Sequence, residues 1–200
     1  MIWKKEIDQK IKEIELRTPP VIIRVNKFNE ASAKEFANKI AQAQNTGQKV
    51  VPVIIDSYGG EVYSLMSMIA SIKNSEIPVA TIVEGKAMSC GVILFSCGTK
   101  GYRYITEDAT LMIHDVSSGS WGKNSEIQAS AKETERLNEK IYDILADNSS
   151  RSRSWFERKI EKRGRSDWFL EPEKATSIGL ADHIGMPKLQ IKVEVEIDLI

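Results

Sequence analysis

The stretch Val79-Ala-Thr-Ile-Val-Glu-Gly-Lys-Ala-Met-Ser-Cys-Gly-Val-Ile-Leu-Phe-Ser-Cys-Gly98 changes character near its middle. Val79 to Val83 is a short, largely β-branched run that reads as a buried strand. Gly85 is expected to break that strand, and from Ala87 the residues become helix-compatible and almost wholly apolar. Ser89 therefore falls where a strand hands over to a buried helix. Backbone N–H groups at a helix start lack intrahelical partners and, with the helix dipole, favour negative charge nearby. A serine in that place has two readings. It caps the helix, or its hydroxyl attacks a carbonyl whose developing oxyanion meets donors already in position.

Working outward, the same alternation recurs. Val50 to Ile55 reads as a strand ending in Asp56-Ser-Tyr-Gly-Gly60, followed by a helix from Val62 to Lys73 with Val62, Leu65, Met66, Ile69 and Ile72 inward. Before it, Val21 to Val25 reads as a strand, and Asn29 caps a helix to about Thr46. Ala33, Phe36, Ala37 and Ile40 form that helix's buried stripe, and Gly47 closes it. Strand alternating with helix at this spacing predicts parallel βα units. At the start, residues 2–15 read as an amphipathic helix with Trp3, Ile7, Ile11 and Ile14 on one face, stopped by Thr18-Pro19-Pro20.

Beyond the central stretch, Lys100 to Ile105 and Ala109 to His114 read as two more strands, and Ser117 to Gly122 as loop or bent strand. The longest helix is expected over 125–147, with Ile127, Ala131, Thr134, Leu137, Ile141, Ile144 and Leu145 along one side. Ser154-x-x-Glu157 has the form of a capping box opening a short helix that ends near Gly164. Pro172 suits the first residue of another helix, which Gly179 ends. In the tail, Leu189, Ile191, Val193, Val195, Ile197 and Leu199 alternate with polar residues, the period of a strand with one wet face.

The composition is that of an ordinary soluble globular protein: 200 residues, 42% hydrophobic and 28% charged. Lys plus Arg equals Asp plus Glu at 28 each, so neither a nucleic-acid nor a membrane partner is expected. No apolar run approaches the ~20 residues of a membrane span. The start, Met1-Ile-Trp-Lys-Lys-Glu, lacks the apolar core of a secretory signal, so the expected location is cytoplasmic. Cys90 and Cys97 stand seven residues apart along the apolar helix, too distant for a disulfide, and read as free buried thiols. With two histidines and no Cys/His cluster, no metal is expected, and no cofactor either.

Of the two histidines, His114 ends the apolar run Leu111-Met-Ile, a strand terminus of the kind where parallel α/β sheets place their sites. His183, in Leu180-Ala-Asp-His-Ile, reads as a solvated surface residue. Gly59-Gly60 is either a tight turn or a pair of exposed backbone donors, and it lacks the lysine and hydroxyl residue of a phosphate loop.

Four blocks together resemble a known family. Asp56-Ser-Tyr-Gly-Gly-Glu-Val-Tyr63, Gly85-Lys-Ala-Met-Ser-Cys-Gly91, Leu111-Met-Ile-His114 and Asp167-Trp-Phe-Leu-Glu-Pro-Glu-Lys-Ala175 with Gly179-Leu-Ala-Asp182 are similar to the ClpP-type serine peptidases, in order and spacing, from about residue 50 to 185. The resemblance implies an α/β, ClpP/crotonase-like fold of repeated ββα units with a protruding handle helix. It implies a serine endopeptidase with Ser89 as nucleophile, His114 as general base and Asp167 as the acid that orients it. The oxyanion donors would be the backbone N–H groups of Gly60 and Cys90. Ser-His-Asp chain order is no objection, because the arrangement recurs in several orders. The domain division expected is an amino-terminal helical segment over 1–20, a peptidase domain over 21–187 with its handle at 115–147, and a strand extension over 188–200.

The partners implied are a peptide or unfolded protein substrate and further copies of the chain in stacked homo-oligomeric rings. An ATP-dependent unfoldase also belongs to the family pattern, but the axial pore loop it docks on is not recognisable in residues 1–20. Two further departures mark a divergent member: Tyr58 stands where a proline is usual, and Lys86 where a small or apolar residue is common. Lys86 opens a Ser–Lys dyad as an alternative to the triad. A catalytically silent scaffold or regulatory ring subunit, and an acyl-CoA-binding crotonase-like enzyme, are the rival functions.

Overall fold

The computed structural model describes residues 19–191. The helix expected over 2–15, and all of the tail strand from residue 192 onward, lie outside the described residues; Leu189 and Ile191 are exposed and belong to no strand.

Parallel strands build the body of the molecule. β1 (Ile23–Val25), β2 (Val51–Ser57), β3 (Val79–Met88), β4 (Arg103–Ile105) and β7 (His183–Ile184) lie side by side in that order, all parallel. β2 and the first half of β3 read as nearly continuous apolar runs rather than alternating ones, as strands buried on both faces do. α1 (Glu30–Gln44) and α2 (Val62–Lys73) pack on each other, and α1 also lies on β1. α1 starts as expected at Asn29, whose side chain accepts the Ser32 N–H at 2.8 Å while the Ser32 hydroxyl accepts from the Asn29 N–H. Ala33, Phe36 and Ile40 are buried, but Ala37 faces water and Ala43 takes its place on the inner face.

β3 departs from the expectation drawn at Gly85. The strand does not break there; it runs on to Met88 and changes partners. Thr81 to Val83 pair with β4, whereas Lys86 to Met88 pair with β5 (Thr110–Ile113). Gly85 sits at the divergence, where the β2 register also shifts between Ile55 and Ser57. A glycine inside a strand often marks such a bend. The helix consequently begins later than the apolar pattern suggests: α3 spans Cys90–Ser96, with Cys97 capping its end. Every residue of α3 is buried, against α2, β2, β3, β5 and the long helix α4 (Asn124–Asp147).

β5 also carries β6 (Trp168–Leu170), which pairs with it antiparallel, Ile113 opposite Trp168. Neither β6 nor β7 was expected as a strand, since runs of two or three residues carry no readable period. Residues 115–123 are irregular rather than a strand. The capping box expected at Ser154 is also absent: α5 (Arg153–Glu161) begins two residues earlier, after Ser152, and Glu157 instead accepts from Arg153 at 2.8 Å. α6 (Pro172–Ser177) opens on its proline as expected.

The 24 residues of α4 divide into two halves. Leu137, Ile141, Tyr142, Ile144 and Leu145 are buried against the body, whereas the first half, Ile127 and Ala131 included, is exposed. At 1.5 Å per residue this helix is roughly 36 Å long, so its leading half stands out from the core. Among the described residues no helix is long and apolar enough to cross a membrane.

Candidate active site

The change of partners in β3 places the site. Met88 pairs with Met112, so Ser89 and His114 both lie just past the carboxyl ends of neighbouring parallel strands. That is where open α/β sheets bind their ligands. Ser89 joins β3 to α3 at φ 53° and ψ −120°, a conformation costly for a residue with a Cβ. Its own N–H donates to the Met112 carbonyl at 2.9 Å, which ties the strained residue to β5. The hydroxyl does not cap α3, so the capping reading of Ser89 fails. Cys90, next along, is the first residue of that helix, and its N–H is one of those without an intrahelical acceptor.

Gly59 and Gly60 form the facing turn. Both have positive φ, 107° and 151°, and neither tolerates a side chain. A Cβ on Gly60 would collide with the Phe28 carbonyl oxygen. The Ser57 hydroxyl accepts the Gly59 N–H at 3.1 Å and donates to the Asn26 carbonyl at 2.9 Å, fixing the turn from behind. The Cys90 thiol donates to the Gly60 carbonyl at 3.2 Å, so the turn and the start of α3 are joined directly. Burial pushes this thiol's pKa up, which keeps it protonated and able to donate. Cys97 is also a free thiol, pushed up by burial to about 11.

Register places the third group. Because Ile113 faces Trp168 across the antiparallel β5–β6 pair, the residues just beyond, His114 and Asp167, come together. His114 Nδ1 lies 3.5 Å from Asp167 Oδ1. Ser89 Oγ makes no hydrogen bond to His114, so the three groups converge without being locked to one another. A cavity of about 250 Å³ opens beside Ser89, His114 and Gly60, with Val62, Ile93 and Ile141 among its apolar walls. Tyr58 borders it as well, its ring mostly exposed.

Lys86 is engaged elsewhere. Its ammonium lies 2.8 Å from Asp56 Oδ1 and 4.5 Å from the centre of the Tyr58 ring. The Asp56 contact raises its pKa above the ordinary lysine value, the reverse of what a base in a Ser–Lys dyad requires. His183 is remote from the cavity: it is exposed, stacks on Tyr104 at 4.7 Å and contacts the Gly101 carbonyl at 3.0 Å.

One group beside the cavity was not legible in the sequence. Asp115, directly after His114, has its carboxylate divided between the Tyr142 hydroxyl at 2.5 Å and Arg165 Nη1 at 2.8 Å. Those partners lie 27 and 50 residues away, and no local pattern signals them.

Comparison with known proteins agrees with this architecture. The family model for Clp protease matches residues 6–188. The ATP-dependent Clp protease proteolytic subunit of Deinococcus radiodurans is 31% identical over 145 residues, covering 72% of this chain and 69% of that protein.

Proposed function

From the premise that this chain belongs to the Clp protease family, we propose that it is a serine endopeptidase that cleaves peptide bonds through an acyl-enzyme on Ser89. The observation that carries this reading is the convergence of Ser89, His114 and Gly60 on one cavity with Asp167 3.5 Å behind the histidine. His114 takes the Ser89 proton as the hydroxyl attacks the scissile carbonyl, then returns it to the leaving amine. Asp167 keeps the imidazole in the tautomer whose Nε2 is free to accept, and it stabilises the imidazolium. The oxyanion is received by the N–H groups of Gly60 and Cys90, held in place before reaction by the strained backbone around them. Removing one such donor typically costs about 10²–10³ in kcat. The apolar walls of Val62, Ile93 and Ile141 suit an apolar substrate side chain beside the scissile bond.

The working particle in this reading is a homo-oligomer of stacked rings enclosing the sites, acting on peptides or unfolded protein. Catalytic hydrogen bonds are often long in unliganded enzymes and tighten on binding, and the 3.5 Å His114–Asp167 separation is of that kind. The same separation favours the second reading, a silent ring subunit. A fluorophosphonate probe on the assembled protein separates the two: labelling of wild type but not of Ser89→Ala, with hydrolysis of an apolar fluorogenic peptide, supports the peptidase. An assembled sample that neither labels nor hydrolyses supports the silent subunit.

A further inference from the structure

Asp115 occupies a junction. It follows His114 directly, and its carboxylate oxygens are assigned one to each partner: Oδ1 to the Tyr142 hydroxyl at 2.5 Å, Oδ2 to Arg165 Nη1 at 2.8 Å. Tyr142 is buried in the rooted half of α4, so one end of the junction is anchored in the core. Arg165 lies two residues before Asp167, in the short segment between α5 and β6, and stays largely exposed. That segment turns sharply: Gly164 and Arg165 both adopt left-handed conformations, at φ 63° and 58°. Arginine rarely takes this conformation unless its surroundings hold it there. One more link fastens the His114 side of the junction to α4, where the Val116 N–H donates to Asn138 Oδ1 at 2.6 Å.

Given the reading of His114 as base and Asp167 as its orienting acid, on which this inference rests, we propose that Asp115 is a positioning residue of the site. Its carboxylate grips Arg165 from a base set by Tyr142, fixes the turn before β6, and thereby sets the Asp167 carboxylate against His114. The handle helix and the catalytic acid are connected through this one side chain. The charged and titratable groups around the junction are Tyr142 of α4, Arg165 and Asp167 of the turn, and Glu157 and Glu161 at α5, which act on Tyr142 and Arg165 through space. Burial and the Asp115 hydrogen bond both push the Tyr142 hydroxyl well above its usual range, so it remains a donor throughout the working pH range.

The test compares Arg165→Gln, Arg165→Lys, Tyr142→Phe and Asp167→Asn in the full chain, with folding checked by circular dichroism. The readout is the His114 Nδ1 proton in NMR of ¹⁵N-histidine-labelled protein, which contact with Asp167 shields from exchange with water, and His183, the chain's other histidine, is the internal control. Releasing Asp167 should weaken or abolish that proton signal in Arg165→Gln, as in Asp167→Asn. Peptide hydrolysis should fall between about 10- and 100-fold in kcat, the scale of an ångström-sized misplacement, with KM little changed, and Arg165→Lys should recover part of it. Tyr142→Phe should move both readouts in the same direction. An unchanged His114 Nδ1 proton signal in folded Arg165→Gln overturns the proposal. If the wild type neither labels at Ser89 nor hydrolyses peptide, the peptidase reading fails, while the NMR comparison still decides whether Asp115 positions Asp167.

Discussion

Gly59 lies against Ser89 so closely that a Cβ on it would stand 2.7 Å from the Ser89 Cβ and 3.2 Å from its Oγ. The glycine turn therefore acts as a mould for the serine, beside the oxyanion-donor role proposed for it. Gly59→Ala has to move Ser89 or the turn, at φ 107°, and should cost about 1–3 kcal/mol of stability, the scale of a forced backbone conformation. Turnover should drop more sharply, on the order of 10²-fold, because reacting atoms are displaced. Gly101→Ala is the control: φ is 89° there too, yet nothing lies within 4 Å of its Cβ position. It should lower the melting temperature without changing kcat. Equal turnover in the two variants would show that the contact with Ser89 is irrelevant.

The catalytic assignment makes a sharper demand on Lys86. Ser89→Ala and His114→Ala should each remove about 10⁶-fold of kcat and Asp167→Ala less, with double variants little worse, because members of one catalytic unit are not additive. Lys86→Ala should leave most of the activity, since its ammonium is committed to Asp56. An active His114→Ala beside a dead Lys86→Ala would replace the triad by a Ser–Lys dyad.

What the sequence disclosed, and what it withheld, follows from the range of the forces involved. Asn29 was legible because capping is local: the groups that Asn29 and Ser32 satisfy are three residues away. β2, α1 and α2 were legible because their apolar residues recur over several turns or pleats, and β1 because it lies within the apolar run Val21 to Val25. Gly85 misled because whether a glycine ends a strand depends on the neighbour, and here β5 takes over the pairing from β4. Ser89 and His114 stood out by their places at the ends of apolar runs, but Asp167, and the grouping of the three, came only through the likeness of four separated blocks. The register that brings His114 to Asp167 is set by a three-residue strand with no period to read. The Asp115 junction rests on partners far along the chain, and no local signal marks them.

A pH dependence of stability is expected at the far end of β4. Arg103 is buried, with its guanidinium on both oxygens of Asp182 at 2.6 and 2.9 Å, and that carboxylate also accepts the Gly101 and Arg103 N–H groups. Burial alone would raise the Asp182 pKa, but these donors outweigh it and hold the pKa below the ordinary carboxylate value. A depressed folded pKa contributes stability that is complete above the unfolded value of about 3.9 and is lost as pH falls through the lower folded value. Thermal melts should therefore fall away below about pH 4. Asp182→Asn strands a buried guanidinium and should cost about 3–5 kcal/mol at neutral pH. Its stability should then change less between pH 5 and pH 2 than that of wild type. If the two acid limbs have the same slope, the ion pair is not the source.

The exposed leading half of α4 gives the last expectation, that rings stack through it. Not all of its charges are available to a partner. Glu133 is held within the chain by Arg136 at 2.6 Å and by the Tyr63 hydroxyl at 2.6 Å, contacts that keep its carboxyl down at about 2. Lys132 and Glu135 are exposed and take part in none of these contacts, and Trp121, just ahead of the helix, is 99% exposed, with Ile127 at 43%. A bare tryptophan and an exposed isoleucine among charged residues suit the contact surface expected here. A two-fold contact would bring each such patch onto its own copy. Trp121→Ser with Ile127→Ser, or reversal of Lys132 and Glu135 together, should halve the particle mass by light scattering while the circular dichroism spectrum stays unchanged. Reversal of Glu133 and Arg136 together should disturb assembly less, because that pair can re-form within the chain. A particle of unchanged mass after the Trp121 and Ile127 substitutions, or a monomeric wild type, would remove the handle helix from the assembly.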